Sequence, residues 1–193
     1  MRRNFSRKSS LKRYESICFI ISEGKKTEVD YFKIIQGKIS TVIDIKNKIP
    51  KHSAPKYVLQ KAIEIKNKGI RKKDAIWILV DKDSWSDQQL DEVFQWCRRE
   101  SHGFALSNPY FEYWLLLYFE NATQVRISDL KTKLSRHLPD YDKSLNKHNR
   151  RFNEQCIKQA VKVAKEQDTP KCPKWPVSKG TTVYRLMEEL LSS

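Results

Sequence analysis

Short apolar runs that stop on acids constrain this chain more than any other feature. Ile17 to Ile21 leads into Ser22-Glu23-Gly24, and Ala75 to Val80 leads into Asp81-Lys82-Asp83. Continuous apolar runs this short read as strands buried on both faces of a parallel sheet. Parallel neighbours need long crossovers, so helices must lie between them, covering both faces. In such sheets the ligand crevice forms beyond the carboxyl ends of the strands, where Glu23, Asp81 and Asp83 are expected to converge.

The rest of the pattern agrees with an α/β fold. Ser16 to Ser22 is the first strand, and Thr27 is placed to cap a helix running to Gln36 with Val29, Tyr31, Phe32 and Ile35 on its apolar face. Thr41 to Ile45 is a short β-branched strand, followed by a basic loop over residues 46–55 and a helix from Lys56 to Lys68 that ends near Gly69. Ala75 to Asp81 is the third strand. Asp83 and Ser84 lead into a helix reaching about His102, and Gly103 to Ser107 is the fourth strand. Pro109 suits the first turn of the aromatic segment Tyr110 to Phe119, which is apolar on most sides and so reads as core rather than as a base-stacking surface. Helices are expected over 128–137, 152–167 and 181–191. The predicted organisation is a flexible basic arm (1–13), an α/β core (14–120) and a helical extension packed on it (121–193).

Composition points to the partner. The 193 residues carry a formal net charge of +15, which concentrates polyanions and releases counterions when phosphates are bound. Nucleic acid is the expected partner, although charge alone also serves solubility. Arg126, Lys131, Lys133, Arg136, Lys143, Lys147, Arg150 and Arg151 crowd a stretch that also holds Tyr141 and His148, a composition suited to gripping a backbone. The arm holding Arg2, Arg3, Arg7, Lys8, Lys12 and Arg13 is either a phosphate-binding tail or an unstructured terminus. Cys18, Cys97, Cys156 and Cys172 form no CxxC pair, which argues against structural zinc and for reduced thiols. Tyr113 to Phe119 is far shorter than the ~20 residues of a membrane span, and the amino terminus lacks an apolar signal core. The expected setting is cytoplasmic, away from membranes.

The acids carry the chemistry. Oxygen ligands suit Mg²⁺ or Mn²⁺, which take few carboxylates and complete their shell with water and substrate phosphate. Asp81 and Asp83 leave the strand together and repel unless a cation lies between them; alternatively, Asp83 caps the next helix. Glu23 is a candidate general acid/base or metal ligand, with Gly24 permitting close approach of a phosphate. Lys25 and Lys26 stand where they can neutralise charge developing on phosphate. Glu28 and Glu112 are further metal-ligand candidates, or first-turn acids favoured by the helix dipole. Gly24-Lys25-Lys26-Thr27 is not a phosphate-binding ATPase loop, because the earlier glycine that motif requires is replaced by Phe19.

Three blocks together carry a family resemblance: Glu23-Gly24-x-x-Thr27-Glu28-x-x-Tyr31-Phe32, then Asp81-Lys82-Asp83, then Ser107-Asn108-Pro109-x-Phe111-Glu112-x-Trp114-Leu115-Leu116. They resemble the RloB family of bacterial defence-associated proteins, which includes AbiLii-type abortive-infection components. The terminal Thr181-Thr182-Val183-Tyr184-x-Leu186 is similar to that family's closing segment. That family in turn resembles TOPRIM domains, found in type II topoisomerases, primases and OLD-family nucleases. The resemblance implies a four-stranded parallel sheet, Glu23 as the acid at the first strand end, and Asp81 and Asp83 as the paired metal-binding aspartates. It also implies a neighbouring SMC- or ABC-type ATPase that senses infection and controls this subunit. The expected activity is a Mg²⁺-dependent nuclease acting on DNA or RNA, transfer RNA included. The rival is a regulatory or nucleic-acid-binding subunit that does not cut; nucleotidyl transfer is a minor third reading. No motif places a tyrosine for covalent topoisomerase chemistry.

Overall fold

A computed structural model describes residues 16–47, 55–82 and 85–192. The basic arm, most of the basic loop and Asp83 with Ser84 lie outside the described residues. The element order is β1 (Ile17–Ser22), α1 (Thr27–Gln36), β2 (Val42–Lys46), α2 (Pro55–Asn67), β3 (Ala75–Asp81), α3 (Asp87–Arg99), β4 (Gly103–Asn108), α4 (Phe111–Leu116), α5 (Leu130–His137), α6 (Glu154–Gln167), β5 (Gly180–Thr181) and α7 (Val183–Ser192).

The strands form one sheet in the order β2-β1-β3-β4-β5. β1 to β4 are parallel, with Ile20 opposite both Ile45 and Trp77, and Ile78 opposite Phe104. Side-chain alternation divides the apolar runs between two cores. Cys18, Ile20, Trp77 and Leu79 pack with Tyr31, Phe32 and Ile35 of α1. Ile21, Ile76, Ile78 and Val80 pack with Val58 and Ala62 of α2 and with Leu90 and Val93 of α3. The helices therefore cover both faces, as the unalternated sequence of β3 requires.

The sheet has five strands rather than the four expected, and it is mixed. β5 runs antiparallel to β4, with Ser107 opposite Thr181. Two residues are too few to show any period, so nothing in the sequence pattern announces this strand. Side chains hold it instead: the Ser107 and Thr181 hydroxyls lie 3.0 Å apart, and the Thr182 hydroxyl accepts the Leu106 N–H at 2.9 Å. The last helix consequently starts at Val183, two residues beyond the expected Thr181.

Other boundaries moved for local reasons. Thr27 is the first residue of α1 and makes no cap to it, because its hydroxyl donates across the fold to the Lys143 carbonyl at 3.0 Å. α3 is capped by Ser86, whose hydroxyl accepts the Gln89 N–H while the Gln89 side chain accepts the Ser86 N–H, so the helix has its cap without Asp83. Pro109 lies ahead of α4 after a cis bond rather than in its first turn. The aromatics beyond it are core: Phe111, Tyr113 and Trp114 are buried, and Tyr31 meets Phe32, Phe111 and Phe152 edge-on. Gly103 has its own packing reason, since the Trp77 ring lies where a Cβ would stand. Residues after 121 join the same core as α1, through Leu134, Ile157, Ala160, Leu186 and Met187.

Candidate active site

The chain passes from β1 outward to β2 and returns to place β3 on the other side of β1. That reversal makes the carboxyl ends of β1 and β3 the topological switch point, the place where open α/β sheets leave a crevice. Ser22 is opposite Leu79, so Glu23 and Asp81 emerge from adjacent strands at this point. Glu23 is half-buried, and its Oε2 accepts the Trp85 indole N–H at 2.9 Å. Asp81 is half-buried as the last residue of β3, opposite Ser107 of β4. Asp83 lies outside the described residues.

α1 begins beside the end of β1 and presents buried polar groups there. Gly24 exists for a close approach: a Cβ at this position would stand 1.8 Å from Oε2 of Glu28. The Glu28 carboxyl thus rests against the backbone of the turn. Burial pushes its pKa up to about 7, and the charges of Glu112 and Glu23 push the same way, whereas its own backbone N–H and the Lys143 ammonium pull it down. Glu112, buried in the first turn of α4, accepts the Tyr141 hydroxyl at 3.3 Å. Burial and the Glu112 charge drive the Tyr141 pKa well upward, keeping that phenol a donor.

The loop 141–145 lies along this first turn. Tyr141 and Thr27 hydroxyls are 3.1 Å apart, the buried Asp30 accepts from the Ser144 hydroxyl at 2.9 Å and the Leu145 N–H at 3.2 Å, and Lys26 pairs with Asp142 at 3.1 Å. Lys26 is therefore engaged with the loop, while Lys25 is exposed. Trp85, Asp30 and the packing of this loop against α1 are the parts that the sequence did not reveal. The available signal was Thr27-Glu28-x-Asp30, three polar residues on a helical turn that is buried throughout.

Glu23, Glu28 and Glu112 thus interact electrostatically, and Asp81 lies at the neighbouring strand end. The donors are all oxygens, the set a hard divalent cation prefers, and the repulsion felt at Glu28 is what a cation would relieve. Among the described residues no three His, Cys, Asp or Glu side chains form a ready metal-binding group. A full ligand set would have to draw on Asp83 as well.

The basic residues fall into two places. Arg126 is paired with Asp129 at 2.7 Å, and Lys131 and Arg136 are exposed on α5. Lys147, Arg150 and Arg151 are exposed on the 3-10 turn Asn146–Arg151, which packs against α1 and follows directly from the loop at the carboxylates. All four cysteines are free thiols. No helix among the described residues is long and apolar enough to cross a membrane.

A family model described as RloB-like protein matches residues 18–190, which takes in every element from β1 to α7. Neither a curated protein nor a solved structure matches the chain.

Proposed function

The chain belongs to the RloB-like family, and from that premise we propose that it is a TOPRIM-type, metal-dependent nuclease that cuts DNA or RNA in phage defence under the control of a neighbouring SMC- or ABC-type ATPase. The observation that supports the reading is that Glu23 and Asp81 follow or end adjacent parallel strands at the β1/β3 switch point, with the buried Glu28 feeling the charges of Glu23 and Glu112. Crowded, half-desolvated acids cost stability, and such a cost is characteristic of a site kept for its chemistry.

Asp81, Asp83 and Glu23 would hold Mg²⁺ or Mn²⁺, with Glu28 and Glu112 behind them. When bound, the cation polarises the scissile phosphate and steadies the leaving oxygen. Glu23, which accepts the Trp85 indole N–H, would take a proton from the attacking water. Lys25 is free to approach the phosphate, and the exposed Lys147, Arg150 and Arg151 extend a backbone-binding track away from the site.

A second reading, a nucleic-acid-binding subunit that does not cut, draws support from the exposed Lys131, Arg136, Lys147, Arg150 and Arg151. One experiment separates them: incubation with DNA and total RNA in Mg²⁺, Mn²⁺ or EDTA, with and without the ATPase. Cleavage that needs the metal and is lost in Asp81→Asn supports the nuclease. Salt-sensitive binding without cleavage under every condition supports the binding subunit.

A further inference from the structure

The loop Tyr141-Asp142-Lys143-Ser144-Leu145 is more heavily constrained than any connector of its length requires. Asp142 is held by Lys26, the Lys143 carbonyl by the Thr27 hydroxyl, and Ser144 and Leu145 by the buried Asp30. Leu145 is itself fully buried. Within this frame the backbone takes the left-handed conformation at Asp140 (φ 59°) and Lys143 (φ 77°). An aspartate accepts that conformation readily, but a lysine does so at a cost of order 1 kcal/mol or more. Glycine would remove the cost, so the side chain at this position must serve some other end.

We propose that Lys143 is the phosphate-gripping cation of the site, presented by this loop to the nucleic-acid backbone lying across the carboxylates. The assignment rests on the phosphodiester reading above and names the residue that contacts the substrate phosphate. Lys143 is exposed, and it closes no ion pair among the described residues. Its neighbour Asp142 is taken by Lys26. The Thr27 hydroxyl on its carbonyl sets the residue beside the start of α1, where its charge acts on the buried Glu28 carboxyl. The two lysines thereby divide the work: Lys26 ties the loop down, and Lys143 is left available to an incoming anion. The exposed Lys147, Arg150 and Arg151 follow in the next turn, so a strand gripped at Lys143 continues onto further cations.

Lys143→Gly is the discriminating variant, because glycine adopts the observed φ without strain and the loop keeps its anchors. Lys143→Arg retains the charge. Binding of a 20-nucleotide single-stranded RNA and of the matching DNA is measured in EDTA across a salt series, alongside thermal unfolding. Lys143→Gly is expected to reduce the slope of log affinity against log salt by about 0.7, one phosphate contact on a single strand. Its melting temperature should be unchanged or raised, and Lys143→Arg should keep the wild-type slope. Where Mg²⁺ supports cleavage, Lys143→Gly should raise KM about tenfold. An unchanged slope in Lys143→Gly, or a wild-type chain that binds neither strand, overturns the assignment. A wild type that binds with the expected slope but never cleaves sinks the nuclease reading alone.

Discussion

Glu28 and Asp168 are both sheltered carboxylates, and the fold treats them in opposite ways. Burial works against the charge of each. At Asp168 it is outweighed by donors: the Cys172 N–H at 2.9 Å, the Tyr184 hydroxyl at 2.7 Å and the Arg185 guanidinium at 2.8 Å hold its pKa below the usual range. At Glu28 the nearby charges include Glu112 and Glu23, and the pKa rises to about 7. Asp168 ties the long connector after α6 to α7, where a satisfied ion pair fixes the chain. Glu28 stands at the sheet's switch point, where its own backbone N–H and the Lys143 ammonium only partly offset burial and the like charges of Glu112 and Glu23. On the function proposed above, the difference separates a carboxylate that fixes the chain from one held ready for a cation.

Removing the partner at the stabilising site should have the largest effect. Arg185→Ala leaves the Asp168 carboxylate sheltered without its guanidinium and is expected to cost about 3 kcal/mol at pH 7, read by urea denaturation. Because the folded pKa of Asp168 is depressed, its contribution is present above the unfolded value and lost as pH falls through the folded one. Arg185→Ala should therefore show a weaker loss of stability in acid than the wild type.

Glu28→Gln should act in the other direction. The folded pKa of about 7 lies above the ordinary value of 4.5, so the wild-type contribution is full below pH 4.5 and is lost as pH rises through 7. In EDTA the variant should be more stable than the wild type at pH 8, by on the order of 2 to 3 kcal/mol, and equal to it near pH 4.5. A wild type whose stability does not fall between those pH values would erase the contrast with Asp168.

Gly24→Ala sharpens the same point. The new methyl occupies the place of the Glu28 carboxyl, a flexible group able to swing aside, so the stability cost should be about 1 kcal/mol or less. Its pH profile should flatten toward that of Glu28→Gln. Thr27→Val, which deletes the bond to the Lys143 carbonyl and the contact with Tyr141, should cost a similar ~1 kcal/mol and raise hydrogen exchange in the loop 141–145.

Much of this architecture was legible because burial on both faces writes itself into sequence. β3 appears residue for residue as the run from Ala75 to Asp81, and α1 ends at Gln36 as its apolar period predicts. β5 was not legible, because two residues have no period and its register depends on threonine hydroxyls 70 or more positions from their partners. The placement of Glu23 and Asp81 at adjacent strand ends was legible because each follows or closes an apolar run. That of Trp85 was not, because it reaches Glu23 from the turn after β3; Tyr141 and Lys143 showed only as members of a basic stretch, because the loop that brings them to α1 is set by tertiary hydrogen bonds to Thr27 and Asp30.

The proposed chemistry requires that Asp81, Glu23 and their neighbours bind a divalent cation. Calorimetric titration with Mn²⁺, together with thermal unfolding at matched Mn²⁺ and EDTA, tests it directly on the wild type and Asp81→Asn. Saturable uptake and a Mn²⁺-raised melting temperature are expected in the wild type, both lost in a folded Asp81→Asn. Equal uptake by the two proteins, or none by the wild type, would contradict it.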